Sequence, residues 1–133
     1  MITRAAVITG LGVALGAFGA HALRPTLEAA GRLDEWHTAV LYQMIHGVAL
    51  LAIGVWGRLD GTARQSRGVR ATGLLWVLGV VAFSGSLYAL GLGVPSRWIW
   101  PVTPLGGLCF LAGWTVLAIA SARRARSAPR GTP

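Results

Sequence analysis

Residues Ala39–Gly57 read AVLYQMIHGVALLAIGVWG, with no Asp, Glu, Lys or Arg among them. At about 1.5 Å of rise per residue, a helix of this length crosses the roughly 30 Å hydrocarbon layer of a bilayer. Ala5–Leu23, Ala71–Val94 and Val102–Ala122 have the same character, and none of them contains Arg, Asp or Glu. The four stretches take up 83 of the 133 residues. The sequence therefore predicts an all-α membrane protein, a four-transmembrane-helix bundle. Residues 1–122 form its transmembrane domain, with helices over about 5–23, 39–57, 71–94 and 102–122, and residues 123–133 a basic, disordered cytoplasmic tail.

Composition points the same way. Hydrophobic residues make up 54% and charged residues 12%, about half the charged share of a soluble domain. The net charge is +8, and every basic residue is Arg. In a soluble chain this balance would suggest nucleic acid. Here the arginines sit in loops and tail, so topology and anionic headgroups explain them, and no nucleic-acid partner is expected. The single Cys109 lies within the fourth stretch, allows no intrachain disulfide, and reads as a small apolar side chain.

In a four-span arrangement, Arg4, Arg58, Arg64, Arg67, Arg70, Arg123, Arg124, Arg126 and Arg130 fall on one side, and Arg24, Arg32 and Arg97 on the other. The positive-inside rule then predicts both termini in the cytoplasm and a multi-pass protein of the bacterial inner membrane. Trp36, Trp98 and Trp100 are placed as interfacial anchors at outer ends, and Trp56 and Trp76 at inner ends. A rival reading takes the first stretch as a signal peptide, with Met1–Arg4 basic, Ala5–Gly19 apolar and Ala20-His21-Ala22 as the cleavage site. The His inside that site and four glycines in the core favour a retained helix.

The connections differ in kind. Arg24–Glu35 opens with Pro25 and carries Leu23, Leu27, Ala30 and Leu33 at helical spacing, so it reads either as a short interfacial helix or as a solvated loop. Gly57–Arg70 reads as a polar, mobile loop, and Gly91–Pro101 as a tight turn.

Gly10, Gly12 and Gly16 miss the dinucleotide spacing by one residue, and no strand precedes them. Gly12, Gly16 and Ala20 instead recur every four residues as a helix-packing face; Gly106 and Gly113 do the same on the fourth helix, and Gly47 and Gly54 on the second.

A polar set remains: His21, Tyr42, Gln43, His46, Ser84, Ser86, Tyr88 and Thr103. Counting helical rise places these groups at similar depth, and polar atoms in hydrocarbon need partners, so they should face inward and meet. Interhelical hydrogen bonding is the leading reading of this cluster. A pocket for a lipid headgroup, quinone or other small amphiphile is the second. Haem ligation by two His does not suit their unequal depths, and zinc lacks Cys or carboxylate partners. Ser and His are present without an acidic orienter, so hydrolysis is disfavoured. An enzyme or proton-coupled transporter using His46, which could titrate, is the third reading, although no carboxylate lies within a span. Neither a cofactor nor a metal is expected, and no residue is expected to be catalytic.

Four segments, in order, carry a resemblance. They are Gly16-Ala17-Phe18-Gly19-Ala20-His21, then Tyr42-Gln43-Met44-Ile45-His46, then Phe83-Ser84-Gly85-Ser86-Leu87-Tyr88, and finally Thr103-Pro104-Leu105-Gly106-Gly107 with Gly113-Trp114 after it. The chain resembles the small membrane proteins called domain of unknown function 423, which include transmembrane protein 256 of mitochondria. The resemblance implies a four-helix inner-membrane protein and a shared polar core. It implies no reaction. It suits a non-enzymatic structural or accessory subunit that contributes to membrane integrity or to a larger complex, with membrane lipids, a second copy or other subunits as partners. The Arg-rich tail and the 57–70 loop lie outside it.

Overall fold

The computed structural model describes residues 1–61, 63 and 66–127. Its elements are α1 (Ile2–Ala20), α2 (Arg24–Ala29), α3 (Leu33–Leu59), α4 (Arg67–Gly79), a π-helical turn (Val80–Ser84), α5 (Gly85–Gly91), α6 (Ser96–Ile99) and α7 (Val102–Ser127). No strand occurs among the described residues. Four segments are long and apolar enough to cross a membrane: Ile2–Ala20, Leu33–Leu59, Arg67–Gly91 and Ser96–Arg126. Their outer faces stay apolar, as at Val7, Leu11, Ile45, Leu78, Val81 and Leu108, all exposed. A water-soluble bundle would place charge there; this one presents hydrocarbon to hydrocarbon.

The helices overrun the apolar stretches at polar ends. α3 begins at Leu33 with Asp34 and Glu35 in its first turn and closes with Arg58 in its last. Acids near a helix N-terminus and bases near its C-terminus complement the helix dipole. Arg124 and Arg126 stand likewise in the last turn of α7, so residues 123–127 are helical where a disordered tail was expected. The remainder of that tail, 128–133, lies outside the described residues. α1 ends earlier than its apolar run, at Ala20, and Pro25 then opens α2. Proline is preset for a helix's first turn and cannot continue a preceding one.

Of the two readings of Arg24–Glu35, the helix holds: α2 buries Leu27 between α1 and α3. It closes on Gly31, whose φ of +62° permits bonds from Gly31 N to Glu28 O (3.0 Å) and Arg32 N to Leu27 O (2.8 Å). Gly93, at φ +91°, closes α5 in the same way with bonds to Leu90 O (3.1 Å) and, through Val94 N, to Ala89 O (3.0 Å). Both are Schellman caps, which need a left-handed residue that only glycine adopts without strain. The expected tight turn after α5 contains the short helix α6.

α1 lies antiparallel on α3 through glycines from both helices. Gly12 meets Met44 and Gln43, Gly16 meets Val40, Gly19 meets Trp36, Gly47 meets Thr9 and Gly54 meets Ile2. The stripe on α1 is thus Gly12-Gly16-Gly19. Ala20, expected as its third member, is exposed, because 3.6 residues per turn carries a strict four-residue step off the contact face. α4, the π turn and α5 pack on α3 from another side and carry α7. Only 17% of the apolar window of α1 and of α7 is buried, against 39% for α3, so α3 is the central helix. The core between them holds Ala5, Leu50, Ile53, Val69, Trp76, Val80 and Phe110.

The aromatic assignments change. Trp98 and Trp100 are 67% and 81% exposed, but Trp36 and Trp76 are 1% and 0% exposed. These two indoles are core, not interfacial anchors: each fills the space over a glycine of a facing helix, Gly19 and Gly113 respectively. At the other end of the bundle, where α1 starts and α7 finishes, Arg124 pairs with Asp60 and sits 5.3 Å over the Trp56 ring. This joins the end of α7 to the end of α3, beside the segment expected to be a mobile loop.

Candidate functional site

Gln43 is the hub of the polar set. It is 4% exposed on α3. Its amide donates to Ile8 O on α1 at 2.8 Å, and its Oε1 accepts from the Tyr88 hydroxyl on α5 at 2.8 Å. One side chain thereby ties three helices. The glycine at position 12 makes the first bond possible: a Cβ there would lie 2.8 Å from Met44 Sδ and 3.4 Å from Gln43 Cγ. Sequence, close approach and hydrogen bond form a single chain of cause.

His46 lies one turn further along α3 and is 3% exposed. Its Nδ1 stands 2.8 Å from Tyr42 O, and the Trp114 indole N–H on α7 donates to Nε2 at 3.2 Å. A carbonyl only accepts and an indole only donates, so the partners assign the proton to Nδ1 and the lone pair to Nε2. Phe110 stacks on the ring, with centroids 3.6 Å apart and planes at 13°, and Trp76 closes it edge-on at 5.9 Å. Both ring nitrogens are engaged, so no open coordination position is left on the imidazole.

Ser86 and Thr103 form a second link, Oγ to Oγ1 at 2.7 Å, between α5 and α7. Ser86 also reaches Phe83 O at 2.8 Å, and Thr103 reaches Ile99 O at 3.4 Å. Each hydroxyl has one proton, so the pair points as a unit toward one carbonyl or the other. Ser84 is fully buried at the end of the π turn, and its Oγ has no hydrogen-bond partner among the described residues; Trp76 Nε1 is in the same state.

Two members of the expected set lie apart. Tyr42 is 38% exposed, and its ring packs on Phe83 at 4.7 Å, while its backbone carbonyl serves His46. His21 is exposed at the C-terminal end of α1. Gly19 faces Trp36 there, so His21 is level with the start of α3, roughly 15 Å along the axis from His46 at 1.5 Å per residue. Among the described residues, no three His, Cys, Asp or Glu side chains come together. A cleft of about 950 Å³ opens at the other end of the bundle, and none of the polar set lines it.

Three participants went unread in the sequence. Trp36 donates its indole N–H to Leu15 O at 3.0 Å, lies edge-on to Tyr88 at 4.7 Å, and packs against Gly19 and Gly91. Phe110 and Trp114 enclose His46. Trp114 stood in the fourth motif; Trp36 and Phe110 carry no signal in a single sequence that separates them from lipid-facing aromatics.

The family described as protein of unknown function (DUF423) matches over residues 15–107, from the end of α1 through the Gly106-Gly107 contact on α7. The chain belongs to this family. It is similar to a UPF0382 membrane protein of Staphylococcus haemolyticus, 46% identical over 116 residues that cover 87% of this chain and 89% of that one. It is 41% identical to a UPF0382 membrane protein of Haemophilus influenzae, over 82% of each chain. It is also 38% identical to the UPF0382 inner membrane protein YgdD of Escherichia coli, over 95% of this chain and 92% of that one. No solved structure matches. With four helices able to span a bilayer and relatives named in these terms, this DUF423 member is a multi-pass integral protein of the bacterial inner membrane.

Proposed function

We propose that the protein is a non-enzymatic structural or accessory component of the membrane, acting through its packed surface and not through a reaction. The observation that carries this is His46. It is the buried titratable side chain of the polar set, and both of its ring nitrogens are taken by protein groups while Phe110 stacks on the ring. Polar atoms committed to one another fix helix register instead of receiving a substrate. The reading places both termini in the cytoplasm, following the arginine bias; reporter fusions near Gly61 and after Pro133 should both report cytoplasm, and an external signal from either overturns that orientation.

The role in membrane integrity is tested in a strain lacking the native chain, by uptake of a membrane-impermeant dye. Wild type should restore the barrier, and His46→Gln should restore it equally, because an amide can still donate to Tyr42 O and accept from Trp114. A folded His46→Gln protein that fails to restore it would move the function to a ligand or proton held by the imidazole.

A further inference from the structure

At the end of the bundle where α1 starts and α7 finishes, α1 and α4 each pack on α3 and leave a cleft of about 950 Å³ between them, within the usual 300–1,000 Å³ range of ligand sites. Its floor is apolar: Leu50, Ile53 and Val69 are at most 5% exposed. Its rim holds Arg4, Arg58 and Arg70, one from each helix. Among the described residues, none of the three has an ion-pair partner. The ion pairs of the described residues use Arg24, Arg32 and Arg124, and the one acid of the chain at this end, Asp60, goes to Arg124. Leu74, on the rim, is 55% exposed on the lipid-facing side of a spanning helix, so the cleft opens toward the bilayer as well as toward water.

We propose that this cleft is a binding site for one anionic phospholipid, whose phosphate sits among Arg4, Arg58 and Arg70 and whose acyl chain lies along the Leu50–Ile53–Leu74 wall. Charge complementarity selects the occupant. Three guanidiniums over an apolar floor at the membrane boundary match an anionic headgroup joined to hydrocarbon, and a zwitterionic lipid would bring a cation to the same rim. An acidic peptide would satisfy the arginines but would leave its backbone polar groups unpaired against the floor. This site is remote from the polar network, so its failure would leave the scaffold reading standing, and the reverse.

The test uses the full chain in nanodiscs holding equal phosphatidylglycerol and phosphatidylcholine of the same acyl chains, released into native mass spectrometry. Three arginines on one phosphate should give a preference of roughly tenfold or more for the singly bound phosphatidylglycerol adduct. The preference should fall to near parity in Arg4→Gln/Arg58→Gln/Arg70→Gln and persist in Arg24→Gln/Arg32→Gln/Arg97→Gln at the opposite end. Parity in the native chain, an unchanged preference in the cleft variant, or equal loss in both variants overturns the proposal. A photoactivatable phosphatidylglycerol on the unaltered protein gives a reading independent of variant folding. Crosslinks should concentrate in residues 1–4, 50–58 and 69–74, and an even spread over the four spans counts against the site.

Discussion

The Tyr88 hydroxyl donates to Gln43 Oε1 at 2.8 Å, across 45 positions of sequence. Gln43 holds Ile8 O at the same time, so this bond closes α1, α3 and α5 into one unit at the level of the polar set. Interhelical hydrogen bonds in membranes average about 0.6 kcal/mol and reach about 1.7. A residue that makes two of them and is buried should sit at the upper end.

Gln43→Leu is therefore expected to lower stability by about 1–3 kcal/mol, since it removes both bonds of a buried side chain and leaves the half-buried Tyr88 hydroxyl without its partner. Tyr88→Phe should cost less, about 0.5–1.5 kcal/mol. In unfolding from detergent micelles the double variant should cost less than the sum of the two. Strict additivity would mean the two side chains do not interact.

Adjacent glycines in α7 should respond unequally. A Cβ at Gly106 would lie 2.8 Å from Phe83 Cα, in the backbone of the π turn, whereas one at Gly107 would have Phe83 Cδ2 at 3.9 Å, an ordinary contact. Gly106→Ala should destabilise by about 1–3 kcal/mol or more, because backbone cannot rotate out of the way, and Gly107→Ala should stay within about 0.5 kcal/mol. Equal melting temperatures for the two variants would contradict the close approach of α7 to the π turn.

Ser84 offers a test of opposite sign. Its hydroxyl is buried without a partner, and burying an unpaired hydroxyl is unfavourable. Ser84→Ala should leave stability unchanged or raise it by up to about 1 kcal/mol. A loss of more than about 1 kcal/mol in thermal unfolding would show that Ser84 holds a bond of its own.

The spans were legible because hydrocarbon thickness forces a run of apolar residues that little else in a small chain explains. Gly12, Gly16, Gly106 and Gly113 were legible as packing positions for a related reason: in a membrane, close backbone approach replaces the hydrophobic drive between helices. That Gln43, Tyr88, Ser86 and Thr103 should meet followed in outline from depth counting along helices, but which of them pairs with which did not. Other features were not readable. Trp36 and Trp76 look like interfacial anchors by residue type, and only the opposing glycines make them core. The inward turn of His46 and the outward position of His21 depend on helix rotation, which apolar spans leave unmarked when every face is hydrophobic. The π turn at Val80–Ser84 has no sequence signature, and it decides which hydroxyl, Ser84 or Ser86, finds a partner. The cleft beside Arg4, Arg58 and Arg70 was hidden because those arginines already had an explanation in topology.

His46 serves packing, and unfolding of His46→Gln and His46→Leu in nanodiscs tests that role most directly. Gln keeps a donor for Tyr42 O and an acceptor for Trp114 while giving up the stack on Phe110, which is worth about 0.5–1.5 kcal/mol. Leu forfeits the stack as well and strands the Trp114 indole. His46→Gln should therefore remain within about 1.5 kcal/mol of the native chain, and His46→Leu should fall a further 1–2 kcal/mol or so below it. Two variants that both melt with the native chain would contradict the account, for then the imidazole holds nothing together and is there for something else.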